Sequence, residues 1–263
     1  ATGLPTRTGQ GELRFAIHAG HGEFPKIVLA PGDMEEAYEL AYRAVELSQK
    51  YQTVVILLTD KLLNETYFSV ENLSDRQPVP LMNIEIEPSQ PEGQLFHRYQ
   101  PTPDGVGMRT LPGIRNGFYI ANSDEHGPDG LVDETVEMRK IMVQRRLNKL
   151  KAITSEMQPP NVYGPEEAGV TLVGWGSTKG SILEAMKELD GVNFVHFTHV
   201  WPLPKSARGI LEGKKLYFIE NNMSGQFEGL VREILGLGAS GNLRKDDGRP
   251  FYPEEIVNFV KSK

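Results

Sequence analysis

A chain of 263 residues has room for one large domain or two ordinary ones, because a single core stops growing near about 250 residues; two are expected. With 39% hydrophobic and 24% charged residues it reads as a soluble globular chain, no apolar run nears the roughly 20 residues of a membrane span, and a net charge of -7 argues against nucleic-acid binding. The absence of cysteine excludes disulfides, thiolate nucleophiles, Cys-based zinc sites and Cys-held iron-sulfur clusters, so any redox centre must sit elsewhere.

The start, Ala1-Thr2-Gly3-Leu4-Pro5, has neither an initiator Met nor the basic and apolar regions of a signal peptide, and it reads as the edge of a fragment. A reducing cytoplasm is the expected location. Gly3 to Gly11 packs glycines, threonines and an arginine together with too little apolar content for a regular element, so it is a loop. Arg7 has the geometry to clamp a carboxylate or phosphate with two parallel N-H donors, and it reads equally as an ordinary solvated arginine.

His18 and His21 are spaced three apart, but no nearby Cys or Asp supplies a third ligand for a metal. His21-Gly22-Glu23 sits in a loop ahead of the apolar run Ile27-Val28-Leu29-Ala30, where a role in a site and a plain surface histidine are both open. That run and Val54 to Leu58 do not alternate, which predicts strands covered on both faces. Between them, Asp33 to Tyr51 reads as a helix with Asp33 as N-cap and Glu36 three residues on. Its expected buried face is Met34, Ala37, Tyr38, Ala41, Ala44, Val45 and Ser48. The strand, helix and strand form a right-handed parallel crossover, too small to stand alone, whose sheet is expected to need strands upstream of Ala1.

From Asn64 to about Pro165 recurrent prolines predict long irregular connections, interrupted by one charged helix over Asp133 to Lys151 with a thin stripe of Val136, Val143, Leu147 and Leu150. A solvated helix is the favoured reading of that segment over a binding surface. After Pro165, strands at Val170 to Val173, Val192 to Phe197 and Leu216 to Ile219 alternate with helices at Ser181 to Leu189, Ser206 to Leu211 and Gly225 to Leu235. A last helix is expected from Pro253 to Val260, so the class is an α/β doubly wound parallel sheet.

Gly174-Trp175-Gly176-Ser177-Thr178-Lys179-Gly180 fits neither a dinucleotide fingerprint nor a Walker A loop, and is read as a tight strand-to-helix turn with Trp175 at the sheet edge. His196 and His199 share a metal only if their strand ends between them. Glu220-Asn221-Asn222 with Ser224-Gly225-Gln226 falls at the C-terminal edge of the sheet, where ligands gather; capping of the next helix by Asn222 or Ser224 suffices as an alternative.

Taken in order, these stretches resemble one family: Gly3 to Leu13, His21-Gly22-Glu23-Phe24-Pro25 into Ile27 to Pro31, Tyr51 to Leu57 with Asp60-Lys61, Gly174 to Gly180, and Glu220-Asn221-Asn222 with Gly225-Gln226. The family is the alpha subunit of 2-oxoacid:ferredoxin oxidoreductases, of the 2-oxoglutarate synthase type, in its C-terminal portion. The resemblance implies that residues 1–63 are the C-terminal part of a thiamine-diphosphate pyrimidine-binding domain. Residues 64–165 would be an irregular connection, and residues 166–263 a transketolase C-terminal-like domain.

It further implies a beta subunit that binds most of the thiamine diphosphate with magnesium and holds a four-iron cluster, ferredoxin as acceptor, and coenzyme A and a 2-oxoacid as substrates in a hetero-oligomer. Two family features, a glutamate that activates the aminopyrimidine ring and a Tyr-Pro-Ile-Thr-Pro motif, would lie upstream, leaving this piece inactive by itself. Arg7 and Thr6 are the expected substrate-binding residues, with Gly3, Leu4, Pro5, His21 and Glu23 lining the same pocket; no catalytic residue and no metal ligand are assigned. The rival readings are a transketolase-like thiamine enzyme without an electron acceptor and a non-catalytic assembly module.

Overall fold

The computed structural model describes residues 3–70, 73 and 75–263. The elements are α1 (Leu13–His18), β1 (Lys26–Leu29), α2 (Met34–Tyr51), β2 (Val54–Leu57), α3 (Lys61–Glu65), α4 (Val136–Glu156), β3 (Asn161–Tyr163), β4 (Val170–Trp175), α5 (Thr178–Met186), β5 (Val192–Phe197), β6 (His199–Trp201), α6 (Ala207–Leu211), β7 (Leu216–Glu220), α7 (Gln226–Leu235), β8 (Gly241–Arg244) and α8 (Pro253–Lys261).

Five strands form the larger sheet in the order β3-β5-β4-β7-β8, parallel except for the edge strand β3. Its strands carry apolar residues on both faces because helices cover both. Val173, Val195, Phe197 and Phe218 pack with α1, α6 and α7, while Leu172, Phe194, Tyr217 and Ile219 pack with α5 and α8. The sheet is doubly wound, as the alternating pattern predicts. Pro253 opens α8, where its missing N-H costs nothing, and the Tyr252 N-H donates to Glu255.

The second sheet is small, β2-β1-β6, with β1 and β2 parallel and β6 antiparallel. Within the described residues the second neighbour of β1 comes from downstream, as β6. Residues 192–201 pass from one sheet to the other with a break at Thr198. β1 is fully buried, and β2 is the outer strand among the described residues, with Val54 49% exposed.

Helix α2 begins as its sequence predicts, with Asp33 Oδ1 accepting from the Glu36 N-H at 2.8 Å. Its buried face is different from the expected one: Leu40, Ala44, Leu47 and Tyr51 pack against Ile27, Leu29 and Ile153, while Ala41 and Val45 are exposed. The largest apolar side chains, rather than the most numerous small ones, set the orientation. In α4 the buried positions are Met142, Lys149 and Ile153, and Val136 and Leu147 of the expected stripe are exposed. Among the described residues between α3 and α4 there is no helix or strand, only the isolated bridges Ile84–Arg109 and His126–Val132.

Candidate functional site

Strand β4 connects onward to β5 on one side and β7 to β8 on the other, so the sheet's order reverses between β4 and β7. The crevice beyond the C-terminal ends of two such strands is where open α/β sheets bind ligands. Here it is filled from within the chain. Gln10 is 3% exposed, donates from Nε2 to the Trp175 carbonyl at the end of β4 (2.7 Å), and accepts at Oε1 from the Asn221 N-H just past β7 (2.9 Å). The Asn222 amide donates to the Gln10 carbonyl at 3.2 Å and to Glu220 at 2.9 Å.

Glu220 is buried as well, and its two oxygens accept from the Phe227 and Glu228 N-H groups at 2.9 and 2.8 Å. A carboxylate on a helix N-terminus is stabilised by orphan donors and by the helix dipole, which explains a charge in that position. Asn222 also accepts from the Gln226 N-H at 3.2 Å. The polar run after β7 is therefore a capping and anchoring device, and the N-terminal loop is what it anchors.

Anchored at Gln10, the segment Gly3 to Gly9 lies along the open ends of β1 and β2. The Arg7 N-H closes a turn on the Leu4 carbonyl (3.0 Å), the Thr8 N-H donates to the Gly248 carbonyl (3.3 Å), and the Leu62 N-H reaches Thr8 Oγ1 (3.4 Å). Gly248 has a φ of +78°, and a Cβ there would stand 2.6 Å from Arg7 Cβ, so only glycine lets the two loops approach this closely. The result is a cleft of about 820 Å³ lined by Gly3, Leu4, Pro5, Thr6, Arg7 and Asp60, with Lys61 and Asp246 on its rim.

Charge in this cleft is mostly committed. Asp60 caps α3 by accepting from the Leu63 N-H at 3.0 Å and takes the Ser177 hydroxyl on its other oxygen; Lys61 pairs with Glu65. Among the described residues the exposed Arg7 guanidinium has no ion pair or hydrogen bond. It is the uncommitted cation of the cleft.

A second polar cluster braces the two sheets nearby. Lys179, at the start of α5, donates to Asp33 and to Glu36 Oε1 (2.6 Å), and His196 Nδ1 stands 3.6 Å from the same Glu36 oxygen. Burial alone would raise the Glu36 carboxyl, but His196, Lys179 and the Gly32 N-H outweigh it and hold it down at about 2. The Lys179 ammonium is disfavoured by its burial, and the hydrogen bonds and charges of Asp33 and Glu36 prevail and raise it.

The expected site residues divide. Gly3, Leu4, Pro5, Thr6 and Arg7 share the cleft. His21 and Glu23 do not: they precede β1, at the opposite end of the strand, and Glu23 lines a separate depression with Phe24 and Trp201. The two loops are neighbours in sequence but are separated by the length of the sheet. His18 and His21 are both exposed, His196 faces Glu36, and His199 Nδ1 contacts the Thr198 hydroxyl at 3.2 Å; the break between the last pair falls at Thr198. Among the described residues no three His, Cys, Asp or Glu side chains converge as metal ligands. Trp175 ends a central strand and is buried at its C-terminal edge.

Two residues that sequence reasoning passed over carry much of the architecture. Gln10 was visible only as the polar end of a glycine-rich loop, and Lys179 as a misfit in a phosphate motif; neither pattern announces a partner more than 140 positions away.

Residues 1–143 match the family described as pyruvate flavodoxin/ferredoxin oxidoreductase, thiamine diphosphate-binding. The chain belongs to that family. It is 34% identical, over its full length, to the 2-oxoacid:ferredoxin oxidoreductase subunit alpha of Saccharolobus solfataricus, covering 43% of that protein. It is 25% identical to the 2-oxoglutarate synthase subunit KorA of Methanothermobacter thermautotrophicus, with 99% of this chain and 69% of the relative aligned.

Its fold superposes with a TM-score of 0.82 and 29% identity on the structure of the 2-oxoglutarate:ferredoxin oxidoreductase from Magnetococcus marinus with 2-oxoglutarate, coenzyme A and succinyl-CoA bound, over all of this chain and 46% of that one. The chain spans less than half the length of the first of these relatives. Among the described residues no helix is long and apolar enough to cross a membrane.

Proposed function

We propose that this chain forms one wall of the substrate site in the alpha subunit of a 2-oxoacid:ferredoxin oxidoreductase, with Arg7 receiving the carboxylate of the 2-oxoacid. The observation that carries the reading is the uncommitted guanidinium in a cleft whose other cation, Lys61, is paired with Glu65. A planar fork of donors matches a carboxylate in two-pronged fashion, and the loop bearing it is held by buried hydrogen bonds, so orientation is set before substrate arrives. Thr6 adds a hydroxyl to the same wall.

The overall reaction is a 2-oxoacid plus coenzyme A giving acyl-coenzyme A and carbon dioxide, with electrons passing singly to ferredoxin. Thiamine diphosphate, when bound, supplies the carbon-carbon cleavage chemistry. The cleft does not fit that group by itself. Of its lining carboxylates, Asp60 is engaged on both oxygens, Glu65 pairs with Lys61, and Glu12 and Asp246 are exposed on the rim, so none is a buried, free acceptor for an aminopyrimidine. That supports a division in which a beta subunit holds most of the cofactor with magnesium and, through its own cysteines, a four-iron cluster, in the cytoplasm. The chain's lack of cysteine agrees with it.

The domain reading that accompanies this function places the pyrimidine-side wall in residues 1–63, a connection in 64–165 and an anchoring domain in 166–263. The hydrogen bonds from Gln10 to Trp175 and Asn221 are what the anchoring role rests on. The test is a complex of the full-length alpha and beta subunits assayed by viologen reduction. Dye reduction that requires both 2-oxoglutarate or another 2-oxoacid and coenzyme A supports the reading, and a cofactor-loaded complex silent on every 2-oxoacid overturns it.

A further inference from the structure

At the other end of β1 lies a pocket that the cleft does not use. Its volume is about 200 Å³, and Ile17, Leu150, Trp201 and Leu230 give it an apolar wall drawn from α1, α4, β6 and α7. Into this wall the chain places a lysine. Lys26, the first residue of β1, is 6% exposed, and among the described residues its ammonium has neither a hydrogen bond nor a carboxylate partner. Its recorded contact is with the Phe24 ring, whose centroid is 3.9 Å from Nζ.

Most of the Lys26 side chain is covered, while its ammonium keeps contact with solvent in the pocket, which leaves a cation on an apolar wall open to an incoming anion. The loop before it is built to keep it there. Gly20 has a φ of +100°, and a Cβ at that position would lie 3.0 Å from the Phe24 ring, so glycine lets Phe24 fold back beneath the ammonium. On the preceding helix α1, Arg14 and His18 stand one helical turn apart and both line the pocket; Arg14 is tied to Glu233 at 2.7 Å.

We propose that this pocket binds a small, singly charged carboxylate with a short apolar body, its carboxylate on Lys26 and its body against Trp201, Leu150 and Leu230. Single charge follows from the balance of the lining: Glu233 is neutralised by Arg14, so a doubly charged phosphate would meet one unpaired lysine beside Glu23. An apolar body follows from the wall, since a bare inorganic anion would leave that surface unfilled. A compact ammonium, rather than a free guanidinium fork, suits a point contact to one carboxylate oxygen.

The test titrates the full-length alpha-beta complex with hexanoate, hexan-1-ol and inorganic phosphate by isothermal titration calorimetry, with saturating 2-oxoacid present to occupy the Arg7 cleft. The expected result is saturable hexanoate binding at least about tenfold tighter than hexan-1-ol, no competition by phosphate, and loss of that preference in Lys26→Met. Equal affinity for hexanoate and hexan-1-ol, no saturable binding of hexanoate, or displacement of hexanoate by equimolar phosphate overturns the proposal. Leu150→Trp, which fills the pocket, is expected to abolish hexanoate binding, and unchanged hexanoate affinity in that variant overturns the proposal even if Lys26→Met does not fold.

Discussion

Gln10 and Asn221 are 211 residues apart in sequence and are hydrogen-bonded twice. The Gln10 N-H donates to the Asn221 carbonyl at 2.8 Å, and the Asn221 N-H donates to Gln10 Oε1 at 2.9 Å. One side chain thereby closes the crevice at which the larger sheet reverses its order, and it carries the Arg7 loop to the ends of the smaller sheet. The Arg7 loop and the C-terminal sheet are one mechanical unit.

Gln10→Ala removes the side-chain acceptor of the Asn221 N-H, leaving that buried donor unsatisfied, and one of the two donors to the Trp175 carbonyl, which keeps the Thr178 hydroxyl at 2.8 Å. The expected loss is about 1 to 3 kcal/mol, read as a lower midpoint in urea unfolding with an unchanged slope. A shift below about 0.5 kcal/mol contradicts the anchoring role.

The brace at Lys179 makes a prediction with a pH window. Lys179→Met leaves Asp33 and Glu36 facing each other without their cation, and destabilisation of about 3 kcal/mol is expected near neutral pH. The Glu36 carboxyl titrates near 2 in the fold, below its ordinary value of 4.5. Its contribution is therefore fully present above about 4.5 and is lost as pH falls toward 2. Wild type and Glu36→Gln should differ most above pH 4.5 and converge on acidification. A stability difference independent of pH removes the charge on Glu36 from the account.

Lys149 acts in the opposite sense. It is buried in α4, and burial, with Arg145 and Arg98 adding to it, pushes its ammonium down to about 8, although Nζ donates to the Gln52 carbonyl at 3.3 Å. The folded state thus bears the charge at a cost below about pH 8, and that cost disappears as pH rises toward the ordinary value near 10.5. Lys149→Met is expected to stabilise the chain by about 1 to 3 kcal/mol at pH 7 and by much less near pH 10.5. Destabilisation at pH 7 in chemical unfolding contradicts this.

Much of the fold was legible in the sequence where local rules decide. Asp33 caps α2, Pro253 opens α8, and the apolar runs at Val170, Val192 and Leu216 are the parallel strands. The short strands were not legible, because Asn161–Tyr163, His199–Trp201 and Gly241–Arg244 exist by pairing with partners that no local pattern names. The Arg7 loop was visible from its glycines. His21 and Glu23 were misplaced into the same cleft because the sequence records their distance along the chain, whereas β1 carries the chain from one end of the sheet to the other between them and Asp60.

The most direct measurement of the central claim is steady-state kinetics of the alpha-beta complex carrying Arg7→Ala, with the 2-oxoacid and coenzyme A varied separately. Loss of a charge-assisted carboxylate contact of about 2 to 3 kcal/mol corresponds to a rise of about 30- to 150-fold in KM for the 2-oxoacid, with KM for coenzyme A within about twofold of the unaltered complex and partial recovery in Arg7→Lys. Equal effects on both substrates, or none on either, remove Arg7 from the substrate site.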